Sequence, residues 1–231
     1  KWFNRNMETS KKLKILVCAT DPGGARNIAP VLLEAINRKY IILVCSSKNT
    51  NDIFKSYNID SLVIQNFNNN NIKELLLSFR PNVVFCGATR FGYEQPELKL
   101  IKLCRDIGIK SAVIFDEWFY YARRFMDINY KFEYLPNKIF CQDQISFDEA
   151  SQEGVPKQLM VITGSPAYSE IHFKKKKLYN NNKKINKEYY NILFISEAHS
   201  EAYGSKKGEK GPHGAFQGYT EKTVRVAIAN L

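Results

Sequence analysis

The sequence contains no run of about 18 apolar residues, which is the length that a helix needs to cross a bilayer. Histidine is scarce, with 3 residues, and none of the five cysteines lies two or three residues from another. The sequence therefore excludes a membrane-spanning segment within these 231 residues, a redox pair of the C-x-x-C kind and a metal site made from closely spaced cysteines. We expect no metal and no cofactor.

The five cysteines lie mostly inside apolar runs, for example in "KILVCAT" and "YIILVC". Free cysteine behaves as a small apolar residue and is among the most buried residue types. We therefore expect buried, reduced thiols, and a reducing cytoplasm as the compartment. A peripheral position at the inner face of the membrane is the alternative location.

The net charge of +11 is concentrated in one segment, Lys174 to Lys187, which contains seven lysines and no acidic residue. Outside that segment, 27 basic residues stand against 23 acidic ones, so the excess is a local patch. The Asn and Lys content is typical of a solvated linker. A patch that attracts an anionic membrane is the second interpretation. Aromatic residues are sparse there, so we expect no nucleic-acid partner.

Short, continuously apolar runs alternate with helical patterns through the first three quarters of the chain. This alternation predicts an α/β domain with a parallel sheet buried on both faces, a Rossmann-like arrangement. The predicted domain spans residues 10–172 and contains seven strands. They are the runs "KILVCAT", "YIILVC", "SLVIQ", "NVVFCGA", "KSAVIFD", "NKIFCQ" and "QLMVITG".

A Lys/Asn-rich linker is predicted over 173–188, and the strand pattern then starts again. "YYNILFIS" indicates a new strand, and "TEKTVRVAIANL" indicates a helix with Thr220 as its N-cap. One strand and one helix cannot bury a core by themselves. We therefore expect residues 189–231 to be the beginning of a second nucleotide-binding domain that is incomplete in this sequence.

Ligands of open parallel sheets bind beyond the carboxyl ends of the strands, so the residues that follow each strand are the candidate site. After the first strand, Gly23 and Gly24 permit close backbone approach at a helix start, and Arg26 and Asn27 add side-chain donors. Such a loop suits an anion or a sugar hydroxyl. A tight turn shaped by Asp21 and Pro22 is the competing interpretation.

Two further loops add polar and aromatic side chains at the same predicted edge. The fourth strand is followed by "GATRFGYEQ", which contains Arg90, and the fifth by "FDEWFYYARRF". Aromatic rings stack on sugars, carboxylates accept from hydroxyls or act as a base, and arginine pairs with phosphate. The candidates in the second loop are Asp116, Glu117, Trp118, Tyr121 and Arg124. The alternatives are a solvent loop for the first segment and an aromatic loop packed on the domain for the second.

Four segments together carry a resemblance to a known class of proteins. They are "DPGGARNIAPVLLEA", "FDEWFYYARRF…LPNKIFCQD", "VITGSPAYSEI" and "ILFISEAHSEAYG…GYTEKT". The combination resembles bacterial surface-polysaccharide glycosyltransferases of the two-Rossmann-domain (GT-B) type, over most of residues 13–231. At the level of the fold it is also similar to hydrolysing UDP-N-acetylglucosamine 2-epimerases.

The resemblance implies transfer of a sugar from a nucleotide-sugar donor to a cell-surface glycan or a lipid-linked acceptor. Asp116 is the expected base that takes the proton of the acceptor hydroxyl, with Asp21 and Glu117 as alternatives. The donor nucleotide is expected on the second domain, near Ser196, Glu197 and Glu201. A hydrolysing 2-epimerase and a non-catalytic protein that binds sugar nucleotides are the alternative functions.

Overall fold

The computed structural model describes residues 12–64, 68–88, 95–179, 199–211 and 214–229, and the side chains of 176–179 are not described. The chain divides into two compact units, Lys1–Asn181 and Asn182–Leu231. Each unit is considered separately below. None of the helices in the described ranges combines the length and the apolar character that crossing a bilayer requires.

The first unit is built on a seven-stranded sheet in which every pair of neighbouring strands is parallel. The order of the strands is β3-β2-β1-β4-β5-β6-β7. The strands are β1 Lys14–Ala19, β2 Ile41–Ser46, β3 Leu62–Val63, β4 Val83–Gly87, β5 Lys110–Ile114, β6 Lys138–Cys141 and β7 Met160–Ile162. The predicted parallel α/β fold is confirmed, and each of the seven predicted runs coincides with one strand to within a few residues.

Parallel strands need crossover connections, and each of them except the one from β5 to β6 contains an α-helix. Those of the first unit are α1 Pro22–Asn37, α2 Lys48–Ser56, α3 Asn69–Phe79, α4 Pro96–Asp106, α5 Gln144–Gln152 and α6 Pro166–Tyr179. Single turns of 3-10 helix occur at Ala122–Phe125 and Lys157–Leu159. Side-chain caps fix several helix starts: Ser47 and Asp143 each accept a hydrogen bond from the third helical N–H group of the helix that follows.

Alternate side chains of the strands pack on opposite faces of the sheet, which explains why the strands are apolar throughout. In β1, Leu16 and Cys18 join the core on the side of α3, α4 and α5, whereas Val17 and Ala19 join the core on the side of α1 and α2. Complete burial of one such apolar side chain is worth about 1.5–3 kcal/mol. The two cores hold the sheet rigid, so the loops at its carboxyl edge start from fixed positions.

The second unit contains shorter elements: α7 His199–Tyr203, β8 Lys210–Gly211, β9 Gly214–Ala215 and α8 Glu221–Ala229. Thr220 Oγ1 accepts from the N–H group of Thr223, which is the capping role predicted for it. The predicted strand 189–196 lies outside the described residues. The boundaries 10–172 and 173–188 stay predictions, although α6 continues through Tyr179 and gives the first part of the Lys-rich segment a helical backbone.

Candidate functional site

The sheet reverses its winding direction between β1 and β4, which are neighbours in the sheet but not in sequence. In open parallel sheets, ligands bind in the crevice outside the carboxyl ends of the strands at such a switch point. Here α1 begins very close to β4, because a Cβ atom added to Gly24 would lie 2.8 Å from the Cα atom of Gly87. Two glycines therefore allow helix and strand backbones to meet at the switch point.

The loop after β1 turns into α1 through Asp21, which is the N-cap of the helix. Its Oδ1 atom accepts from the N–H group of Gly23 at 2.9 Å, so one of the donors at the helix start already has an internal partner. The positive end of the helix dipole meets negative side chains here. This geometry agrees with the tight turn shaped by Asp21 and Pro22, while anion binding by the loop stays a prediction.

Asp116 lies beside that helix start, two residues beyond the end of β5. A Cβ atom on Gly23 would lie 2.0 Å from Asp116 Oδ2, so the carboxylate occupies the space that any side chain at Gly23 would need. The structure thus brings together Gly23 and Gly24 of the first loop and Asp116 of the fifth, as predicted from the topology. Their roles toward a substrate stay predictions.

A buried arginine joins Asp116 to its neighbour Glu117. Arg124 Nη1 lies 3.2 Å from Asp116 Oδ1, and Arg124 Nη2 lies 3.0 Å from Glu117 Oε2. The side chain of Arg124 is 1% exposed, that of Asp116 is 3% exposed and that of Glu117 is 26% exposed. The cluster therefore runs from the interior toward solvent, and its carboxylates are held by one cation.

Arg124 is fixed from other sides as well, because its guanidinium donates to two backbone carbonyl oxygens. Nη1 bonds the oxygen of Ala88, directly after β4, at 2.8 Å, and Nη2 bonds that of Phe119 at 3.4 Å. The arginine predicted to bind substrate phosphate thus ties the loop after β5 to the end of β4. Its burial and its partners make it a support for the two carboxylates.

Burial raises the pKa of Asp116 from its ordinary value near 3.8 to about 6. The nearby charge of Arg124 lowers the pKa, and the charges of Asp21 and Glu117 raise it. Removal from water disfavours the charged carboxylate more than one arginine compensates. Asp116 therefore changes protonation state close to neutral pH, which is the range in which a carboxylate works best as a general base.

Aromatic side chains lie on the solvent side of this loop. Trp118 is 38% exposed, and its Nε1 atom donates to Asp143 Oδ2 at 2.7 Å. Its ring centroid lies 5.7 Å from that of Tyr168 in α6. Phe119 and Tyr120 are also exposed, with ring centroids 5.3 Å apart. These rings offer flat apolar surface of the kind that packs against a sugar ring, at the same edge as Asp116.

Tyr121 is placed differently from the other candidates of this loop, because it is fully buried. Its hydroxyl donates to Glu149 Oε2 at 3.0 Å, and its ring packs edge-on against Phe115 at 5.1 Å. Tyr121 therefore anchors the loop to the core under α5. Its position does not favour the direct substrate contact that the sequence analysis predicts for it.

Asn27 and Arg26 lie on opposite sides of the first turns of α1. Asn27 is buried, and its Oδ1 atom accepts from Ser165 Oγ at 2.8 Å and from the N–H group of Ala167 at 3.5 Å. Asn27 also donates to the carbonyl oxygen of Gly23 at 3.3 Å. Through Ser165 and Ala167, Asn27 connects α1 with the start of α6. Arg26 is exposed and stays available to an anionic group.

One buried carboxylate at this edge is missing from the sequence-based candidates. Glu97, in the first turn of α4, is fully buried and accepts from the N–H group of Thr20 at 2.5 Å and from its hydroxyl at 2.8 and 3.0 Å. Burial raises its pKa. Nothing local in the sequence indicates this pairing, because the two residues are 77 positions apart.

Gln142 and Asp143, directly after β6, are also missing from those candidates. Asp143 caps α5 through the N–H group of Ser146 and accepts from Trp118, and Gln142 is buried. The rule that pointed to the ends of β1, β4 and β5 could have found both, had it been applied to the sixth strand.

Four further site residues are predicted from the sequence, namely Arg90, Ser196, Glu197 and Glu201. Arg90, Ser196 and Glu197 lie outside the described residues. Glu201 lies in α7 of the second unit and is exposed. Within the ranges that the structure describes, no group of three or more His, Cys, Asp or Glu side chains is arranged to hold a metal ion.

Comparisons with solved structures find proteins of similar fold. A UDP-GlcNAc 2-epimerase from Neisseria meningitidis, solved with UDP-GlcNAc, matches with a TM-score of 0.53 at 15% identity, over 74% of this chain and 52% of its own. MnaA of S. aureus, solved with UDP, gives 0.51 at 12% identity, over 78% and 49%. A UDP-N-acetylglucosamine 2-epimerase from Rickettsia bellii gives 0.51 at 10% identity, over 74% and 50%.

The glycotransferase of kitacinnamycin matches with a TM-score of 0.49 at 10% identity, over 83% of this chain and 57% of its own. No protein-family model matches the sequence, and no curated protein matches it significantly. The chain spans about half the length of the Neisseria meningitidis, S. aureus and Rickettsia bellii proteins that it matches. Its fold is similar to that of UDP-GlcNAc 2-epimerases, which confirms the fold-level resemblance predicted from the sequence.

Proposed function

We propose that this protein acts on a nucleotide sugar and that Asp116 is the group that takes a proton from the substrate. The observation that carries this proposal is the buried Asp116–Arg124–Glu117 cluster at the carboxyl edge of the sheet. A carboxylate with a pKa of about 6 exists largely as a base at neutral pH. The similarity of the fold to UDP-GlcNAc 2-epimerases supports a UDP-sugar as the substrate class.

Sugar transfer to a glycan or lipid-linked acceptor is the reaction we place first. An acceptor hydroxyl attacks the anomeric carbon of the donor, and the bond from that carbon to the diphosphate oxygen breaks. The electron pair of that bond leaves with the diphosphate, while the hydroxyl proton passes to the carboxylate of Asp116. The exposed rings of Trp118, Phe119 and Tyr168 favour this reaction, because they provide a surface on which an acceptor sugar can stack.

A hydrolysing 2-epimerase is the second candidate, and the fold comparison is the observation that favours it. Such an enzyme also needs a base that removes a proton from a sugar, but it needs no acceptor surface. A non-catalytic protein that binds sugar nucleotides is the third. It would keep the fold and the binding site without turnover.

One incubation separates the three candidates. The chain is mixed with UDP-N-acetylglucosamine and a panel of simple glycosides and lipid-linked sugars, and the products are followed by mass spectrometry and NMR. A glycosylated acceptor supports transfer, an epimerised sugar supports the epimerase, and binding without a new product supports the non-catalytic protein. The absence of both binding and product would contradict the proposal as a whole.

The base is tested with two matched variants. Asp116→Asn keeps the shape of the side chain but removes the proton acceptor, so turnover should fall by about 10²–10⁴-fold. Glu117→Gln makes the same chemical change at the more exposed partner of Arg124 and should have a much smaller effect. In the wild type, kcat/KM should rise with pH through about 6, as Asp116 loses its proton. If Glu117→Gln alone abolished turnover, Glu117 would be the base.

A further inference from the structure

Gln142 carries a polar group for which the described protein offers no partner. Its side chain is 6% exposed, and both amide atoms, Oε1 and Nε2, are buried without a hydrogen-bond partner. Buried polar side chains are normally hydrogen-bonded, and an exception calls for an explanation. The amide is uncharged and offers two donors beside one acceptor.

The register of the sheet places Gln142 beside Asp116. In the parallel pairing of β5 with β6, Ile114 lies opposite Phe140, and each candidate residue follows two positions later. Ile114 and Phe140 both belong to the core on the α1 side of the sheet. Because strand side chains alternate between faces, Asp116 and Gln142 continue that same face beyond the strand ends. The contact of Asp116 with Gly23 at the start of α1 agrees with this placement.

The polar groups near Gln142 along the same edge already have hydrogen-bond partners. Asp143 accepts from Trp118 and from the N–H group of Ser146. On the β7 side, the N–H group of Thr163 bonds the carbonyl oxygen of Cys141. Ser165 donates to Asn27. Gln142, in contrast, has no hydrogen-bond partner for either amide atom among the described residues.

The backbone next to this row leaves space and carries strain. Gly164 has a φ of +87°, and a Cβ atom there would meet nothing within 4 Å. Tyr120, in the loop that reaches Asp143 through Trp118, has a φ of +55°, which is unfavourable for an aromatic residue. Strained backbone of this kind clusters at ligand sites and at segments that rearrange. Because Gln142 is 6% exposed, a ligand reaches the strand end only when this loop moves aside.

We infer that Gln142 is a sugar-binding residue, which pairs through its amide with two neighbouring hydroxyl groups of the sugar that Asp116 deprotonates. This inference rests on the proposed function and adds a residue and a substrate group to it. A pair of vicinal hydroxyls matches the amide because one accepts from Nε2 while the other donates to Oε1. A neutral amide fits here because it adds no further charge beside Arg124, Asp116 and Glu117.

The test is Gln142→Met, which keeps the length of the side chain and removes the amide. Relief of two unpartnered polar atoms should leave the melting temperature unchanged or raise it. Binding of methyl glucoside and of N-acetylglucosamine, measured by NMR titration, should weaken at least tenfold. In the wild type, adding either sugar should shift the side-chain amide signal of Gln142, which a merely structural glutamine would not show.

The control is Gln144→Met, two positions later, where the glutamine is exposed and donates to Asp148. It should leave sugar binding unchanged. Equal affinity of wild type and Gln142→Met, or no binding of either sugar by the wild type, overturns the inference. If Gln142→Met does not fold, Gln142→Asn is used in its place, because it keeps an uncharged amide but withdraws it by one methylene group. Equal affinity of that variant overturns the inference too.

The outcome also separates this inference from the proposed function. Turnover that depends on Asp116 together with unchanged sugar affinity in Gln142→Met refutes the role of Gln142 alone. Sugar binding that depends on Gln142, with no product from any nucleotide sugar, refutes the proposed catalysis and leaves a sugar-binding protein.

Discussion

Asp116 and Glu97 are two buried carboxylates at the same edge of the sheet, and they are held in different ways. Glu97 accepts from the N–H and hydroxyl groups of Thr20, which are neutral donors. Asp116 is paired with the cation of Arg124. Burial raises the pKa of both. One edge of the sheet therefore holds a carboxyl group that links β1 to α4 through neutral donors and another, close to Glu117 and the exposed loop, that is paired with a cation.

Removing the hydrogen-bond or ion-pair partner of each carboxylate should give the largest difference in the free energy of unfolding. Arg124→Met leaves Asp116 and Glu117 without their cation inside the protein, and breaking a buried pair in this way costs about 3–5 kcal/mol. Thr20→Val removes one neutral hydroxyl and keeps the N–H donor to Glu97, so it should cost only about 1 kcal/mol. Urea unfolding at neutral pH measures both changes.

Arg38→Met is the control, because Arg38 pairs with Glu34 at 2.7 Å where both side chains are largely exposed. Exposed pairs contribute little to stability, so this variant should unfold like the wild type. Equal destabilisation by Arg124→Met and Arg38→Met would show that the Asp116 cluster is not a buried ion pair.

The pH dependence of stability should show the next largest effect. Between pH 4 and 6 the folded protein keeps a proton on Asp116 that the unfolded chain releases. The contribution of Asp116 to the free energy of unfolding is therefore full below about pH 4 and is lost as pH rises through about 6. Asp116→Asn cannot ionise. From pH 4 to 7 its unfolding free energy should therefore gain roughly 2–3 kcal/mol relative to the wild type. Glu97→Gln should shift in the same direction, because burial raises that pKa too.

Asp127→Asn serves as the control of opposite sign for these urea titrations. The N–H groups of Lys131 and Asn129 hold the pKa of Asp127 below its usual value, so its contribution is lost as pH falls. This variant should therefore become less stable relative to the wild type as pH rises. A shift of Asp116→Asn in that same direction would mean that Arg124 outweighs burial at Asp116.

The smallest expected effect concerns the glycine that accommodates Asp116. Alanine is normally better than glycine in a helix by about 1 kcal/mol, yet Gly23→Ala should destabilise by about 1–2 kcal/mol because its Cβ atom would meet Asp116 Oδ2. In an Asp116→Ala background the same change should become neutral or stabilising. Thermal or urea unfolding of the four proteins measures the coupling.

Gly24→Ala is the matched control, since its Cβ atom would meet the backbone of Gly87, which no side-chain truncation removes. Gly24→Ala should lower the free energy of unfolding by the same amount with and without Asp116→Ala. If Gly23→Ala also changed stability equally with and without Asp116→Ala, Asp116 would not contact the start of α1.

The fold could be predicted from the sequence because it follows from local patterns. Apolar runs between amphipathic segments indicate a parallel sheet, and the rule for its carboxyl edge then places Gly23, Gly24 and Asp116 together. Both steps need only the order of elements along the chain. The exact start of α1 is harder to predict, because Gly23 and Gly24 favour a loop in the sequence, whereas the helix already begins at Pro22 with Asp21 as its N-cap.

The side-chain partners could not be predicted in the same way. Arg124 looks like a phosphate ligand in the sequence, and only the packing shows that its guanidinium is buried between Asp116 and Glu117. Tyr121 stands in a row of aromatic residues whose exposure depends on how the loop turns over the core. Glu97 pairs with a residue far away in sequence, so no spacing rule applies to it.

The five cysteines of this protein have a consequence for its covalent chemistry. All of them are buried, and burial raises the pKa of Cys45, Cys104 and Cys141 to about 12. The thiolate is the form that reacts with alkylating agents and oxidants, so the native protein offers them almost no nucleophilic sulfur at neutral pH. Thiol modification therefore requires local opening of the fold, and the rate at each cysteine measures how often the strand or helix that carries it becomes accessible.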